Sequence, residues 1–194
     1  MKKLLITGFE PFGGEEINTA WEAVSLLPDV IGDYQLTKRL IPVVFGKSAK
    51  QVIATANTLS PDAILCIGQA GGRTAVTPEL VGINLRHATI PDNDGNQPKD
   101  EPIERDGENA YFSTLPVRNI ATAIQATGIP SKVSYSAGAY VCNDLLYSLL
   151  SYYKNTPTRV GFIHVPYCTQ QNKEPSMPLN DVIKALTVAI ENLD

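Results

Sequence analysis

Apolar positions along this chain fall into two alternating rhythms. Short apolar runs at 3–9, 35–44, 63–68, 81–85, 132–136 and 159–165 read as strands. Between them, the segments 20–27, 46–59, 117–127, 140–153 and 179–193 carry the three-to-four-residue spacing of amphipathic helices. Alternation of this kind predicts an α/β fold, a mainly parallel sheet covered by helices. Thr19-Ala20-Trp21-Glu22 has the form of a capping box opening the first helix. Ser60-Pro61-Asp62 ends the second helix and starts a strand. The longest irregular stretch, 90–107, is of a length that in compact domains is functional or mobile. No internal repeat, low-complexity tract or linker interrupts the pattern, so residues 1–194 are expected to form one domain.

Composition narrows the function. With 194 residues and 43% hydrophobic content, the chain can bury a sizeable core. The net charge of −4 is spread over interspersed acids and bases, with no basic stripe, which argues against nucleic acid as a partner. No stretch approaches the roughly 18 apolar residues of a membrane span. The apolar run in Met1-Lys2-Lys3-Leu4-Leu5-Ile6-Thr7-Gly8 is too short for a signal peptide and reads as the first strand. Three cysteines, an odd number without an export signal, point to reduced thiols and a cytoplasmic location. There is no CxxC, and neither histidine has close ligand partners, so a structural zinc site is not expected.

The candidate chemistry is concentrated in few residues, because the chain has only two histidines, His87 and His164. Cys142 lies in Ser136-Ala137-Gly138-Ala139-Tyr140-Val141-Cys142-Asn143, where a small-residue turn enters a helix. In a first helical turn the macrodipole and free N–H groups favour a thiolate and can hold an oxyanion. A buried, inert cysteine fits the same position. His164 ends the run Val160-Gly161-Phe162-Ile163-His164, at the strand edge where open α/β sheets bind ligands. Imidazole is the base a thiol nucleophile needs, although a core histidine with both nitrogens satisfied also fits. Glu79, after Pro78 and before an apolar strand, could orient His164, or be an ordinary surface carboxylate. Cys66 reads as a small core residue and Cys168 as incidental. The loop Gly68-Gln69-Ala70-Gly71-Gly72-Arg73-Thr74 follows a strand but has neither P-loop nor GxGxxG spacing. Gly8-Phe9-Glu10-Pro11-Phe12-Gly13-Gly14 places two aromatic rings where they could line a pocket for a flat, uncharged ring, or simply cover the core. Two other readings stay open: a nucleoside-phosphorylase-like transferase using the 68–73 loop for phosphate, and a non-catalytic binding module with a structural Cys142.

In this order the phenylalanine-proline-glycine segment at 8–14, the 68–84 stretch with Pro78-Glu79, the Cys142 segment and Gly161-Phe162-Ile163-His164-Val165-Pro166-Tyr167 resemble the type I pyroglutamyl peptidases, or pyrrolidone carboxyl peptidases. The resemblance spans nearly the whole chain. It implies a single three-layer α/β/α sandwich and a cysteine peptidase that removes N-terminal pyroglutamate from peptides. It further implies Cys142 as nucleophile, His164 as general base and then acid, and Glu79 as the residue orienting the imidazole. Phe9 and Phe12 would contact the lactam ring, backbone near Gln69 and Val141 would hydrogen-bond it, and Asn18 would stand near the pocket. No metal or organic cofactor is implied, and assembly as a homodimer or homotetramer is. Thr89 departs from the arginine that family members commonly carry before Ile-Pro-Asp-Asn, and Leu80 and Gly82 replace a basic residue and an alanine. These departures imply activity with an altered rate or substrate range.

Overall fold

The computed structural model describes residues 1–194. Lys2–Phe9 (β1), Val30–Ile31 (β2), Tyr34–Ile41 (β3), Ala63–Gln69 (β4), Thr77–Pro78 (β5) and Arg159–Val165 (β8) form one six-stranded sheet. Its order is β2-β3-β1-β4-β8-β5. The four inner strands β3, β1, β4 and β8 run parallel, and β2 and β5 close the edges antiparallel. Parallel strands covered on both faces need apolar side chains on both, which explains the unbroken runs Leu4-Leu5-Ile6 and Ile64-Leu65-Cys66-Ile67.

Strand alternation then divides those runs between two cores. Leu4, Ile6, Leu65 and Ile67 pack against Val24, Ile120, Ile124 and Leu186, from the helices Thr19–Leu26 (α1), Val117–Ala126 (α3) and Leu179–Glu191 (α5). Leu5, Ile64, Cys66 and Phe162 pack against Val52, Leu145 and Leu149, from Lys47–Leu59 (α2) and Val141–Tyr153 (α4). The result is the α/β/α sandwich that the sequence leads one to expect. No helix is long and apolar enough to cross a membrane.

Four local expectations are corrected. The first helix is capped by Asn18 and not by Thr19: the Asn18 side chain accepts from the Ala20 amide at 3.0 Å. Thr19 is inside the helix; its amide donates to Gln69 Oε1, and its hydroxyl is shared between Gln69 Oε1 and Gln171 Oε1, at 3.1 and 2.8 Å. Segment 132–136 is not a regular strand. It meets its neighbour only through single bridges, Val76↔Ser131 and Glu79↔Ser134, before the Ser134 hydroxyl turns onto the Ser136 carbonyl. The expected strand at 81–85 shrinks to Val81–Ile83 (β6), which leaves the main sheet and pairs with Ala110–Phe112 (β7). Strand 35–44 stops at Ile41, because Pro42 has no amide to continue the ladder. The short parallel pair Tyr167–Cys168 (β9) and Ser176–Met177 (β10) carries no periodic signal in the sequence.

The 90–107 stretch is tied down at its start. Asp92 is buried and accepts from the amides of Phe45, Asp94 and Asn96, while the Asn93 amide reaches the Val43 carbonyl. The Tyr140 hydroxyl donates to the Pro91 carbonyl. Anchored this way, the segment runs along the outer side of the site described next.

Candidate active site

Strand order locates the site. β1 continues through α1 to β3 on one side of the sheet, whereas β4 continues to β5 on the other. The two connections diverge, and a crevice opens beyond the carboxyl ends of β1 and β4. Phe9 ends β1, Gln69 ends β4, and His164 lies one residue before the end of β8. Across the crevice stands the start of α4, with Tyr140 at the cap and Cys142 as the second helical residue.

These elements enclose a cavity of about 130 Å³. At ~30 Å³ per water, that is room for about four waters, or one small ring. Phe9, Phe12, Val43, Ala137 and Tyr140 form its apolar wall, and Asn18, Gln69, Cys142 and His164 supply its polar atoms. The rings of Phe12 and Phe45 both pack on Tyr140, with centroids 6.2 and 5.3 Å away. A groove of about 340 Å³ opens at the opposite end of the strands, between Ala56–Asp62 and Tyr153–Thr158, but it gathers no thiol and no imidazole.

His164 is almost fully buried, and its Nδ1 lies 2.7 Å from Glu79 Oε1. Glu79 follows β5, which pairs antiparallel with β8, and the Glu79 amide donates to the Phe162 carbonyl. That short edge strand, hidden in the sequence by Pro78, brings a carboxylate 85 positions away onto the imidazole. Burial pushes the Glu79 carboxyl up, but the hydrogen bond from His164, the neighbouring Ser134 hydroxyl and the Arg73 charge together outweigh burial and hold it below its ordinary value. Burial depresses His164 below the usual histidine value, against the opposing pull of Glu79. An ionised Glu79 beside a neutral His164 places the imidazole proton on Nδ1 and leaves Nε2 free to accept.

Cys142 differs from the expectation for a helix N-terminus. Its surface opens partly onto the cavity, yet the packing around it pushes the thiol up to about 12; the Glu79 charge adds to this and Arg73 opposes it. Burial therefore favours the uncharged pair, thiol and imidazole, and proton transfer accompanies attack. Gly68 makes the approach possible. A Cβ there would lie 2.6 Å from the Phe162 ring and 3.1 Å from Cys142 Sγ. Gly68→Ala is therefore expected to displace Phe162 or the thiol and to lower kcat at least tenfold, as a misplacement of about 1 Å does. Steady-state kinetics on the folded variant checks this, and wild-type kcat would show that the strand tolerates the methyl group.

The other sequence candidates divide by role. Asn18 lines the cavity, but both ends of its amide are engaged: Oδ1 caps α1, and Nδ2 donates to the Glu10 carbonyl at 3.0 Å. It shapes the loop that carries Phe12. Gln69 Oε1 accepts from the amide and hydroxyl of Thr19, leaving Nε2 without a protein acceptor. Val141 buries its side chain in the core, so only its backbone is available to the cavity. Cys66 is a core thiol, and Cys168 is buried away from the cavity. Residues the sequence reading passed over are Val43, Ala137, Tyr140 and Arg73. The first three become pocket wall only when the 90–96 segment and α4 close on the 9–18 loop.

Three further points bear on the chemistry. The 68–73 loop forms no phosphate cradle, because Arg73 turns inward and donates to Glu79 Oε1 at 2.7 Å. Arg86 does not stand in for the arginine missing at Thr89. Its Nε donates to the buried Asp144 at 2.5 Å, two residues past Cys142, while Thr89 is exposed. Gly82 abuts α4, where a Cβ would lie 2.9 Å from the Tyr147 amide nitrogen. No group of three or more His, Cys, Asp or Glu side chains is placed to hold a metal ion.

A parallel α/β/α sheet with a thiol, an imidazole–carboxylate pair and a small apolar cavity at its carboxyl edge defines a hydrolase of the thiol-dependent class. Known proteins narrow this. The sequence model described as pyroglutamyl peptidase matches residues 2–194. The pyrrolidone-carboxylate peptidase of Brevibacillus brevis is 47% identical over 198 residues, covering 98% of this chain and 92% of that one. Pyrrolidone-carboxylate peptidase 1 of Streptococcus pneumoniae is 51% identical over 195 residues, covering 97% and 91%. The crystal structure of pyroglutamyl peptidase I from Bacillus amyloliquefaciens superposes with a TM-score of 0.94 at 44% identity, covering 100% of this chain and 97% of that one. Pyrrolidone carboxyl peptidase from Thermococcus litoralis gives 0.95 at 38% identity, covering 100% and 93%. The chain belongs to the pyroglutamyl peptidase family, and is a cysteine peptidase acting on N-terminal pyroglutamate.

Proposed function

We propose that Cys142, His164 and Glu79 carry the reaction. The observation that supports this most is the buried Glu79–His164 contact of 2.7 Å, with His164 and Cys142 lining one cavity. Cys142 Sγ attacks the carbonyl of the pyroglutamyl residue as its proton passes to His164 Nε2. The imidazolium then protonates the departing amine, which leaves an acyl-enzyme. A water deprotonated by His164 hydrolyses that thioester and regenerates the thiol. Amide groups at the start of α4, which have no partners within the helix, stabilise the oxyanion.

The pocket explains the choice of end group. Pyroglutamate has no free α-amine, so a site for it needs no carboxylate to grip an ammonium. Its wall is apolar, and the lactam is held by neutral donors and acceptors: the backbone near Gln69 and Val141, and the uncommitted Gln69 amide. Phe9 and Phe12 flank the ring. Phe12→Ala is expected to lower kcat/KM by about ten- to a hundred-fold through the lost apolar contact. The measurement is the kcat/KM ratio for a pyroglutamyl amide, and an unchanged value would move the ring subsite elsewhere.

The whole chain, 1–194, acts as one peptidase domain on N-terminally pyroglutamylated peptides. Three free thiols suit a reducing compartment such as the cytoplasm. Exposed Phe112, Tyr135 and Tyr152 suit self-association as a homodimer or homotetramer, which light scattering would detect. The test of the catalytic assignment is fluorophore release from a pyroglutamyl amide by wild type and by Cys142→Ser in reducing buffer. Turnover confined to wild type supports it, and equal turnover by both removes Cys142 from the mechanism.

A further inference from the structure

Arg73 enters the site from the glycine-rich loop after β4, and its guanidinium is spent on three acceptors. Nη1 donates to Glu79 Oε1 at 2.7 Å and to the Thr77 hydroxyl, and Nη2 donates to the Ser136 carbonyl at 3.2 Å. Glu79 has no exposed surface, whereas the Arg73 side chain keeps about a quarter of its own. Both strong donors to Glu79, Arg73 Nη1 and His164 Nδ1, converge on the same oxygen. The other oxygen, Oε2, is buried and accepts no hydrogen bond, because the neighbouring Ser134 hydroxyl donates to the Ser136 carbonyl instead. A carboxylate with one unsatisfied oxygen is costly to keep ionised in a dry interior. His164 cannot offset that cost by charge, because its resting form is neutral.

We propose that Arg73 is a positioning residue of this active site: its guanidinium keeps Glu79 ionised so that the His164 proton stays on Nδ1, and it ties that pair to the turn leading into Cys142. This rests on the reading of Cys142, His164 and Glu79 as the catalytic set. If Glu79 took up a proton, its O–H could donate to Nδ1, and the imidazole proton would move to Nε2. Nε2 would then face the thiol as a donor and could not accept its proton. The second contact acts on geometry. Ser136 opens the turn Ala137-Gly138-Ala139, which runs directly into the cap of α4, so the loop after β4 and the approach to the nucleophile share one brace.

The titratable and charged groups around Glu79 are Arg73 from the loop, His164 from β8 and Cys142 from α4, with Cys66 of β4 lying behind Cys142. Arg73 lowers all three of its titrating neighbours, Glu79, His164 and Cys142. Its removal therefore moves Glu79 upward, and the acidic limb of kcat/KM, then set by protonation of that carboxylate, moves to higher pH.

The experiment measures kcat/KM against pH for wild type, Arg73→Gln, Arg73→Lys, Glu79→Gln and the Arg73→Gln/Glu79→Gln double variant, with melting temperature as the check on folding. For Arg73→Gln the expected result is a loss of at least tenfold at neutral pH, with the acidic limb displaced to higher pH by about one unit. Arg73→Lys keeps the charge and restores the limb, though not the full rate, because one ammonium cannot span both Glu79 and Ser136. In the Glu79→Gln background, loss of Arg73 adds little, because the carboxylate it serves is gone. The proposal is overturned by an unmoved acidic limb in Arg73→Gln, by Arg73→Lys failing to restore the limb, or by additive effects in the double variant. If Arg73→Gln does not fold, Arg73→Lys and its limb decide the matter. Failure of the catalytic set itself would show differently, as retained turnover in Cys142→Ser.

Discussion

Replacing Cys142 with alanine is expected to lower kcat by roughly 10³-fold or more while leaving the fold intact, because removal of a nucleophile leaves only binding and oxyanion stabilisation. No second thiol can substitute. Cys66 lies in the core between the sheet and α2/α4, pushed up to about 12 by burial, and Cys168 is fully buried; neither lines the cavity. The fold should tolerate the change, because alanine is the best helix former and the lost sulfur faces the cavity in part. Circular dichroism and melting temperature establish folding, and turnover of a pyroglutamyl amide gives the rate. Cys168→Ala is the matched control and should keep kcat within a few-fold. Activity near wild type in Cys142→Ala, or a collapse in Cys168→Ala, would mean that the nucleophile is misassigned.

Glu79→Gln carries the next largest expected loss, on the order of 10³-fold in kcat. The substitution is nearly isosteric but removes the charge that fixes the imidazole tautomer. A glutamine can present its NH₂ to His164 Nδ1, and the ring proton then sits on Nε2, which can no longer accept a proton from a thiol. The pH profile supplies an independent reading. In wild type, burial lowers His164 and Glu79 pulls it part of the way back. The acidic limb of kcat/KM is therefore expected below the ordinary histidine value of about 6.5. Without Glu79 the upward pull is gone, so the limb moves to still lower pH in Glu79→Gln. Loss of Arg73 moves it to higher pH, so the carboxylate and the guanidinium that serves it are told apart by the sign of the shift. A limb in Glu79→Gln that coincides with wild type would show that this carboxylate does not act on the base.

Much of the site was legible in the chain because few residues can do its chemistry. Only one cysteine lies in a small-residue turn entering a helix, and only one histidine ends an apolar strand. Resemblance to a known family supplied the roles of Glu79, Phe9 and Phe12. Arg73 escaped notice because a lone arginine in a glycine-rich loop reads as solvent-exposed or phosphate-facing, and nothing local indicates that it turns inward. The Ser/Thr-x-x-Glu spacing points to Thr19 as the cap, because spacing alone cannot say whether the residue before it will cap instead. Asn18 does so, releasing Thr19 to orient Gln69.

Periodicity and composition by themselves determined the layers of this protein: its five helices, its four inner strands, and that those strands are covered on both faces. Those properties follow from local burial patterns, which need only neighbours in sequence. The strand order, the crevice between β1 and β4, and the two-residue strand that delivers Glu79 to His164 were decided by tertiary structure alone. So were the directions in which burial and neighbouring charge move its groups, the thiol upward and the imidazole and carboxylate downward. Each arises from groups far apart in sequence, Glu79 with His164 and Arg73 with Ser136, and their desolvation and mutual field exist only once the chain has closed around them.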